Sequence, residues 1–535
     1  MSEDPVTVPP IAPPRMGKMI VIFADGTGSS FSTQESNVWR LYAALDKTEM
    51  SGMTPARLQL ARYIPGVGTS GNRVLRLLDG ATGIGVPSNV RKLYRFLCWN
   101  WEPGDEIYLF GFSRGAFTVR TLAGMIRWQG LMPLMVGDRP VTDAEMKRNT
   151  MRAWESYRAA TAPLWKDGLK MAPWIAAIRW LRDTAITAKR RVFGQETHAE
   201  IEAGLSEDRR AGAVRIRYMG LFDTVEAYGF PFVGLREAWS WLIWPIIFRN
   251  RVCAKSVDRA DHVLALDDER KTFHPLQFDQ SEAGTPEAPT IIRETWFSGM
   301  HSDVGGGYPD DAVAMDPLLW IMDAARAEGL RFAGGAREGF DDRRYPRALI
   351  HDSRAGLASS YRYAPRMKPN RQEYGRNAPV LHRSVLQKIR TGADGYAPLL
   401  LPEAPAVCDG PDSHATSGPA PMALDPTADA RTRKLIGWRI RVNRVLILLA
   451  ILLVALPLGP YLDQAGLTGL WPGLKAMLQA WWSAVSFGFE PFLALYLSVW
   501  PWALVLLAVL AVLWWWAGAL HGKIKDQALR VWRFT

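Results

Sequence analysis

Glu106-Ile107-Tyr108-Leu109-Phe110-Gly111-Phe112-Ser113-Arg114-Gly115-Ala116 is the stretch whose reading decides the fold. Its first residues form an apolar run that reads as a buried strand. Gly-x-Ser-x-Gly follows, and then a helical pattern over residues 116–126. Strand, sharp turn with a central serine, and helix together are the context of a nucleophile elbow. Gly111 and Gly115 flank the serine because a Cβ there would collide with the strand and helix passing close by. An ordinary strand-to-helix turn capped by Ser113 is the alternative, and the flanking elements favour the elbow.

The same grammar continues in both directions. Residues 19–24, 59–64, 213–222 and 291–297 read as strands, and residues 37–45, 90–99 and 318–327 as helices. Alternating strands and helices predict an α/β fold, a mostly parallel sheet with helices on both faces. The expected division is a flexible leader (1–17), a catalytic domain (18–402), a linker rich in Pro, Ala, Asp, Ser and Gly (403–430) and a helical membrane region (431–535). Within the catalytic domain, residues 140–210 and 230–250 read as a helical cap or lid. Residues 384–396 read as its last piece.

The composition narrows the class. The chain has 535 residues, a net charge of +11 and 23 Trp. No nucleic-acid motif accompanies the charge, so an anionic membrane is the expected partner and nucleic acid is not. Cys98, Cys253 and Cys408 are sparse and odd in number, which argues for a reducing compartment of synthesis rather than a disulfide framework. The N-terminus carries no apolar run with a cleavage site, so a Sec signal is not expected there.

The C-terminus differs in kind. Residues 445–458 are almost wholly aliphatic and residues 492–520 are apolar throughout. A bilayer core of about 30 Å needs roughly 20 helical residues, which predicts transmembrane helices at about 440–460 and 492–520. Arg431, Arg433, Lys434, Arg439, Arg441 and Arg444 precede the first, and Lys523, Lys525, Arg530 and Arg533 follow the second. The positive-inside rule then predicts a hairpin with both ends cytoplasmic if the protein resides in the inner membrane. Residues 474–485 carry one apolar helical face suited to the interface.

A serine nucleophile needs a base, and the base needs an acid to orient it. In α/β-hydrolases the chain order is Ser, Asp or Glu, then His. Ser113, Asp223 and His301 come in that order, each at or just after the end of a predicted strand, where ligands of parallel sheets bind. Asp303 is the rival acid, and Asp267 and Asp268 are more distant ones. An oxyanion hole needs two donors. The amide of Arg114 is one, and Gly26 or Thr27, in the loop after the first strand, is the other. Asp25 is expected to tie that loop down. No cluster has metal-ligand spacing, so neither metal nor cofactor is expected.

The chain resembles a known family in Phe23-Ala24-Asp25-Gly26-Thr27, Tyr63-Ile64-Pro65-Gly66-Val67-Gly68-Thr69, the elbow, Gly220-Leu221-Phe222-Asp223-Thr224-Val225, Ala265-Leu266-Asp267-Asp268-Glu269-Arg270 and His301-Ser302-Asp303-Val304-Gly305-Gly306-Gly307-Tyr308. These motifs, in this order over about residues 17–402, are similar to those of the α/β-hydrolases that include the type VI secretion lipase effectors. The resemblance implies a Ser113–Asp223–His301 triad, phospholipase A chemistry on lipid esters and use as an antibacterial toxin. In that setting the partners are phospholipid, an immunity protein and a secretion spike protein, and the site of action is the target-cell periplasm. A resident inner-membrane esterase of the producing cell is the alternative, and a pore-forming or scaffold protein with a non-catalytic hydrolase fold is the alternative of another class.

Overall fold

A computed structural model of the chain describes residues 17–26, 35–48, 50–51, 54–55, 57–66, 85–161, 198–225, 256–279, 290–366, 379–392, 395–401, 405–413, 416–417, 425–465 and 490–531, with isolated helical pieces in 181–192 and 472–480. Its centre is a nine-stranded sheet. In chain order the strands are β1 (Met19–Ala24), β2 (Gln59–Ile64), β3 (Glu106–Phe112), β4 (Ile216–Phe222), β5 (Val257–Ala265), β6 (Ile291–Phe297), β7 (Val380–His382), β8 (Ala406–Cys408) and β9 (Thr416–Ser417). Their order across the sheet is β9-β8-β7-β6-β5-β4-β3-β1-β2. All neighbours run parallel except β8 and β9.

The apolar strands are continuous runs because both faces are covered. Along β1, Ile20, Ile22 and Ala24 enter one core while Met19, Val21 and Phe23 enter the other. The first core is completed by α2 (Gly85–Asn100), α3 (Arg114–Gln129) and α4 (Asp143–Thr161), and the second by α1 (Asn37–Ala44) and α6 (Met315–Ala327). The short α5 (His301–Gly305) and α7 (Arg383–Thr391) lie near the later strands. This is the expected α/β-hydrolase-like architecture.

Three details differ from the sequence expectation. Strand β5 was not expected, because Arg259, Asp261 and His262 make it look polar. All three are buried. Arg259 pairs with Asp261 at 2.7 Å and with Asp412 at 2.8 Å, and His262 Nδ1 lies 2.9 Å from Glu294. Each buried charge is compensated by a partner, some distant in sequence. Residues 406–408 and 416–417, read as linker, instead add two strands to the sheet edge. The first part of the expected lid, α4, belongs to the core through Trp154 and Tyr157. Residues 230–250 lie outside the described residues, as do 162–180.

The C-terminal region is an antiparallel pair of long helices, α8 (Pro426–Ala455) and α9 (Trp500–Val531). Both are long and apolar enough to cross a membrane, with mean hydropathy of 2.1 and 2.3 over their most apolar windows. They are longer than the expected spans, and their basic halves serve a second purpose. Ala428, Ile436, Ile524 and Val531 pack with Leu264, Trp296 and Tyr363 of the catalytic domain. The apolar halves project away, so that Trp502 is 69% and Trp515 is 74% exposed. Burying these exposed tips in hydrocarbon removes their contact with water.

Candidate active site

Because β1, β3, β4, β5 and β6 lie side by side and parallel, their C-terminal ends form one edge. Asp25, Ser113, Asp223 and His301 all come from that edge. Ser113 follows β3 with φ of 57° and Asp223 follows β4 with φ of 40°, among the described residues the two non-glycine residues of positive φ. Such strain persists only where neighbours over-determine it. Ser113 N–H donates to Phe222 O at 3.0 Å and Asp223 N–H to Val263 O at 2.8 Å, so each turn is anchored on the adjacent strand.

The elbow glycines are explained by close approach. A Cβ on Gly111 would stand 2.6 Å from Ala116 N, and one on Gly115 would stand 2.6 Å from Asp25 O. The strand, helix and first βα loop therefore touch backbone to backbone. Gly115→Ala is expected to destabilise the fold by about 3 kcal/mol or more, read as an earlier thermal unfolding transition, because backbone cannot move aside as a side chain can.

Ser113 does not cap α3. Its Oγ lies 2.8 Å from His301 Nε2, and His301 Nδ1 lies 2.5 Å from Asp223 Oδ2. All three side chains are buried or nearly so. The imidazole is held between Phe112 and Phe273, at ring-centroid distances of 4.7 and 5.2 Å. Burial pushes His301 below its ordinary pKa, against the opposing pull of Asp223. Burial likewise opposes the charge on Asp223, but the Arg366 guanidinium and the His301 hydrogen bond prevail and hold the carboxyl well below the usual range. A neutral imidazole donating from Nδ1 leaves Nε2 as the acceptor facing the serine.

The rival acids have other partners. Asp303 Oδ1 meets His351 Nδ1 at 2.6 Å, and its Oδ2 accepts the Met300 amide at 2.9 Å. Asp268 accepts the His301 backbone N–H at 3.4 Å and pairs with Arg270. Asp267 accepts from Gly299 N–H and from Tyr396 OH, and its burial raises its pKa to about 7. None of these carboxylates is bonded to the ring of His301.

Asp25 ties the first loop, accepting from Ser36 Oγ at 2.6 Å, Tyr63 OH at 2.7 Å and Gly26 N–H at 2.6 Å. The Gly26 amide thus points to its neighbour's carboxylate, while Thr27 lies outside the described residues. Gly26 itself lies beside the nucleophile, since a Cβ there would stand 3.3 Å from Ser113 Cβ. Arg114 opens α3, so its amide belongs to the positive end of the helix.

Two supporting residues escaped sequence reasoning. Arg366, fully buried, grips Asp223 with both arms, Nη1 to Oδ1 at 2.6 Å and Nη2 to Oδ2 at 2.8 Å. It stands 143 residues beyond its partner in an irregular segment, and no local pattern marks it. His262 Nε2 accepts the Thr224 amide at 3.0 Å while Nδ1 faces Glu294, which fixes the turn after Asp223. Its place on a strand adjacent to β4 was the signal, hidden by the polar look of β5.

A parallel sheet flanked by helices, with a serine on the turn after β3 facing a histidine and an aspartate from later strand ends, defines an α/β-hydrolase. The chain belongs to the type VI secretion phospholipase effectors described as Tle1-like, whose catalytic-domain model matches residues 18–324. It is 27% identical over 281 residues to an uncharacterized protein of Saccharomyces cerevisiae, a match covering 49% of this chain and 33% of that one. Similar solved structures include an uncharacterized protein from Pseudomonas aeruginosa (16% identity, TM-score 0.32, 64% of this chain and 50% of that one). Another is the Tle1 effector bound to the VgrG spike of the type 6 secretion system (16% identity, TM-score 0.26, 55% of this chain and 52% of that one). The chain thus spans about a third to a half of the length of these relatives.

Proposed function

We propose that the protein is a serine lipid-ester hydrolase of phospholipase A1 or A2 type, with Ser113 as nucleophile, His301 as base and Asp223 as orienting acid. The observation that carries this reading is the array Asp223 Oδ2, His301 Nδ1, His301 Nε2, Ser113 Oγ, with steps of 2.5 and 2.8 Å across one imidazole. His301 Nε2 takes the Ser113 proton as Oγ bonds to the acyl carbon. The Arg114 amide receives the oxyanion, with the Thr27 amide as the second donor, since Asp25 holds that of Gly26. The ester C–O bond then breaks, His301 protonates the departing lysophospholipid oxygen, and an acyl-enzyme remains. Water, deprotonated by His301, releases the fatty acid and restores Ser113.

The catalytic unit of 18–402 would work at a bilayer held by the hairpin of 431–535, whose exposed apolar tips enter lipid. Membership of a secretion-effector family supports delivery to a rival cell, with a spike protein and an immunity protein as partners. The basic ends of the hairpin favour a second reading, a resident inner-membrane esterase with its catalytic domain on the cytoplasmic side. Fatty-acid release from phospholipid vesicles, compared between wild type and Ser113→Ala, tests the chemistry, and equal release by both refutes it. Toxicity from the periplasm of a target cell that vanishes in Ser113→Ala supports the effector. Toxicity that survives Ser113→Ala but not removal of 431–535 supports a pore instead.

The pH profile follows from the burial of His301. Its protonated form cannot accept the serine proton, and its folded pKa lies below 6.5. Plots of kcat/KM against pH are expected to fall on acidification with a midpoint below pH 6.5 and to be level just above neutrality. A midpoint above 6.5 would show that the pull of Asp223 outweighs burial at His301.

A further inference from the structure

Asp223 has two oxygens and four donors. Oδ1 accepts from Ala265 N–H at 3.0 Å and from Arg366 Nη1 at 2.6 Å. Oδ2 accepts from His301 Nδ1 at 2.5 Å and from Arg366 Nη2 at 2.8 Å. A planar fork bonded to both oxygens fixes the plane of the carboxylate as well as its position. Arg366 is itself tied to the ends of neighbouring elements, through Nη1 to Ala265 O at 2.6 Å and through Nη2 to Phe273 O.

Arg366 belongs to a strap of irregular chain that includes residues 361–366 and is clasped from two sides. On the catalytic side, Lys271 N–H donates to Arg362 O and Ala364 N–H to Glu269 O, both at 2.8 Å. On the other side stands the hairpin. Asn443 Oδ1 of α8 accepts the Tyr363 amide at 2.7 Å. The Arg439 guanidinium of α8 lies 4.0 Å from the Tyr363 ring centroid and 3.2 Å from Glu269 Oε2. Arg439 and Asn443 are both buried, so these contacts belong to the packed base of the hairpin.

We propose that Arg366 is a positioning residue that sets the carboxylate plane of Asp223, and that the hairpin holds Arg366 in place through Asn443, Arg439 and the strap. The proposal rests on the triad reading above. It gives the C-terminal region a part in turnover itself, separate from carrying the enzyme to lipid. The chain of contacts from α8 to Asp223 is continuous, and its last link is a rigid bidentate pair. A misplacement of about 1 Å at a reacting group costs on the order of 100-fold in rate. Removing a fixed positive charge from a coupled Asp–His pair raises the pH at which that pair takes up its first proton, whichever member holds it.

The test uses the full chain in detergent micelles with a water-soluble short-chain ester, so that lipid docking does not enter the readout. Arg366→Gln is expected to lower kcat by about 10- to 100-fold with KM little changed, and to move the acid limb of kcat/KM to higher pH. Arg366→Lys restores the charge but not the fork. It is expected to return the acid limb toward wild type while kcat stays depressed. Asn443→Ala and Arg439→Met are expected to lower kcat on the soluble ester in the same direction. An unchanged kcat and acid limb in folded Arg366→Gln would overturn the role of Arg366. If that variant does not fold, wild-type kcat in Arg366→Lys overturns it. Hairpin variants that lose only vesicle hydrolysis, with full turnover of the soluble ester, overturn the hairpin's part. The triad reading fails separately, by hydrolysis that persists in Ser113→Ala.

Discussion

Ser113→Ala is expected to lower fatty-acid release from phospholipid vesicles by about 10⁴- to 10⁶-fold, with the fold and lipid binding retained. The size follows from the arrangement. Ser113 Oγ lies 2.8 Å from His301 Nε2, at the end of a buried array that exists to receive one proton. On the proposed mechanism, no covalent intermediate forms without the oxygen, and His301 has no serine proton to take. What remains is the oxyanion site and binding, worth far less. The substitution removes one hydroxyl from a side chain that does not cap its helix, so stability should change little. Labelling by a fluorophosphonate probe, lost in the variant, reports the same serine independently of the lipid. Undiminished labelling would place the nucleophile elsewhere.

Asp223→Asn is the second large effect, with kcat expected to fall by about 10⁴-fold and the backbone fold kept. The carboxylate accepts from His301 Nδ1 through Oδ2 and from both arms of Arg366. An amide has one oxygen and one NH2 group. If its oxygen serves His301, the NH2 faces a guanidinium arm and donor meets donor. If the oxygen turns to Arg366, the NH2 drives His301 to the tautomer with its proton on Nε2, and Ser113 loses its acceptor. Both arrangements fail for a physical reason, which separates this variant from a general loss of packing. Steady-state kinetics on a soluble ester check it, and kcat within about tenfold of wild type would argue that another acid orients His301.

Much of this was legible locally. Apolar runs of six or seven residues, as in β1 and β3, announce buried parallel strands because their own side chains must be covered on both faces. The elbow is equally local, since Gly111, Ser113 and Gly115 meet their steric demands within a few residues. β5 was not legible. Arg259, Asp261 and His262 are tolerated in mid-sheet only because Asp412 and Glu294 arrive from elsewhere in the chain. The strands at 406–408 and 416–417 are too short to carry a period and owe their form to pairing, β8 with β7 and β9 with β8.

By itself, then, the sequence determined the strand–elbow–helix unit, the alternating α/β order and the two apolar C-terminal helices, because each rests on spacing along one segment. The tertiary structure alone decided which carboxylate faces which imidazole. On sequence Asp223 is the favoured acid and Asp303 its rival, and the packed chain draws Asp303 to His351 at 2.6 Å and Asp223 to His301 at 2.5 Å. It also decided that Arg366 completes the site and that the basic ends of the hairpin pack on the catalytic domain. Hydrogen bonds and ion pairs depend on distances of about 3 Å between groups far apart in sequence, and only the packed chain sets those distances.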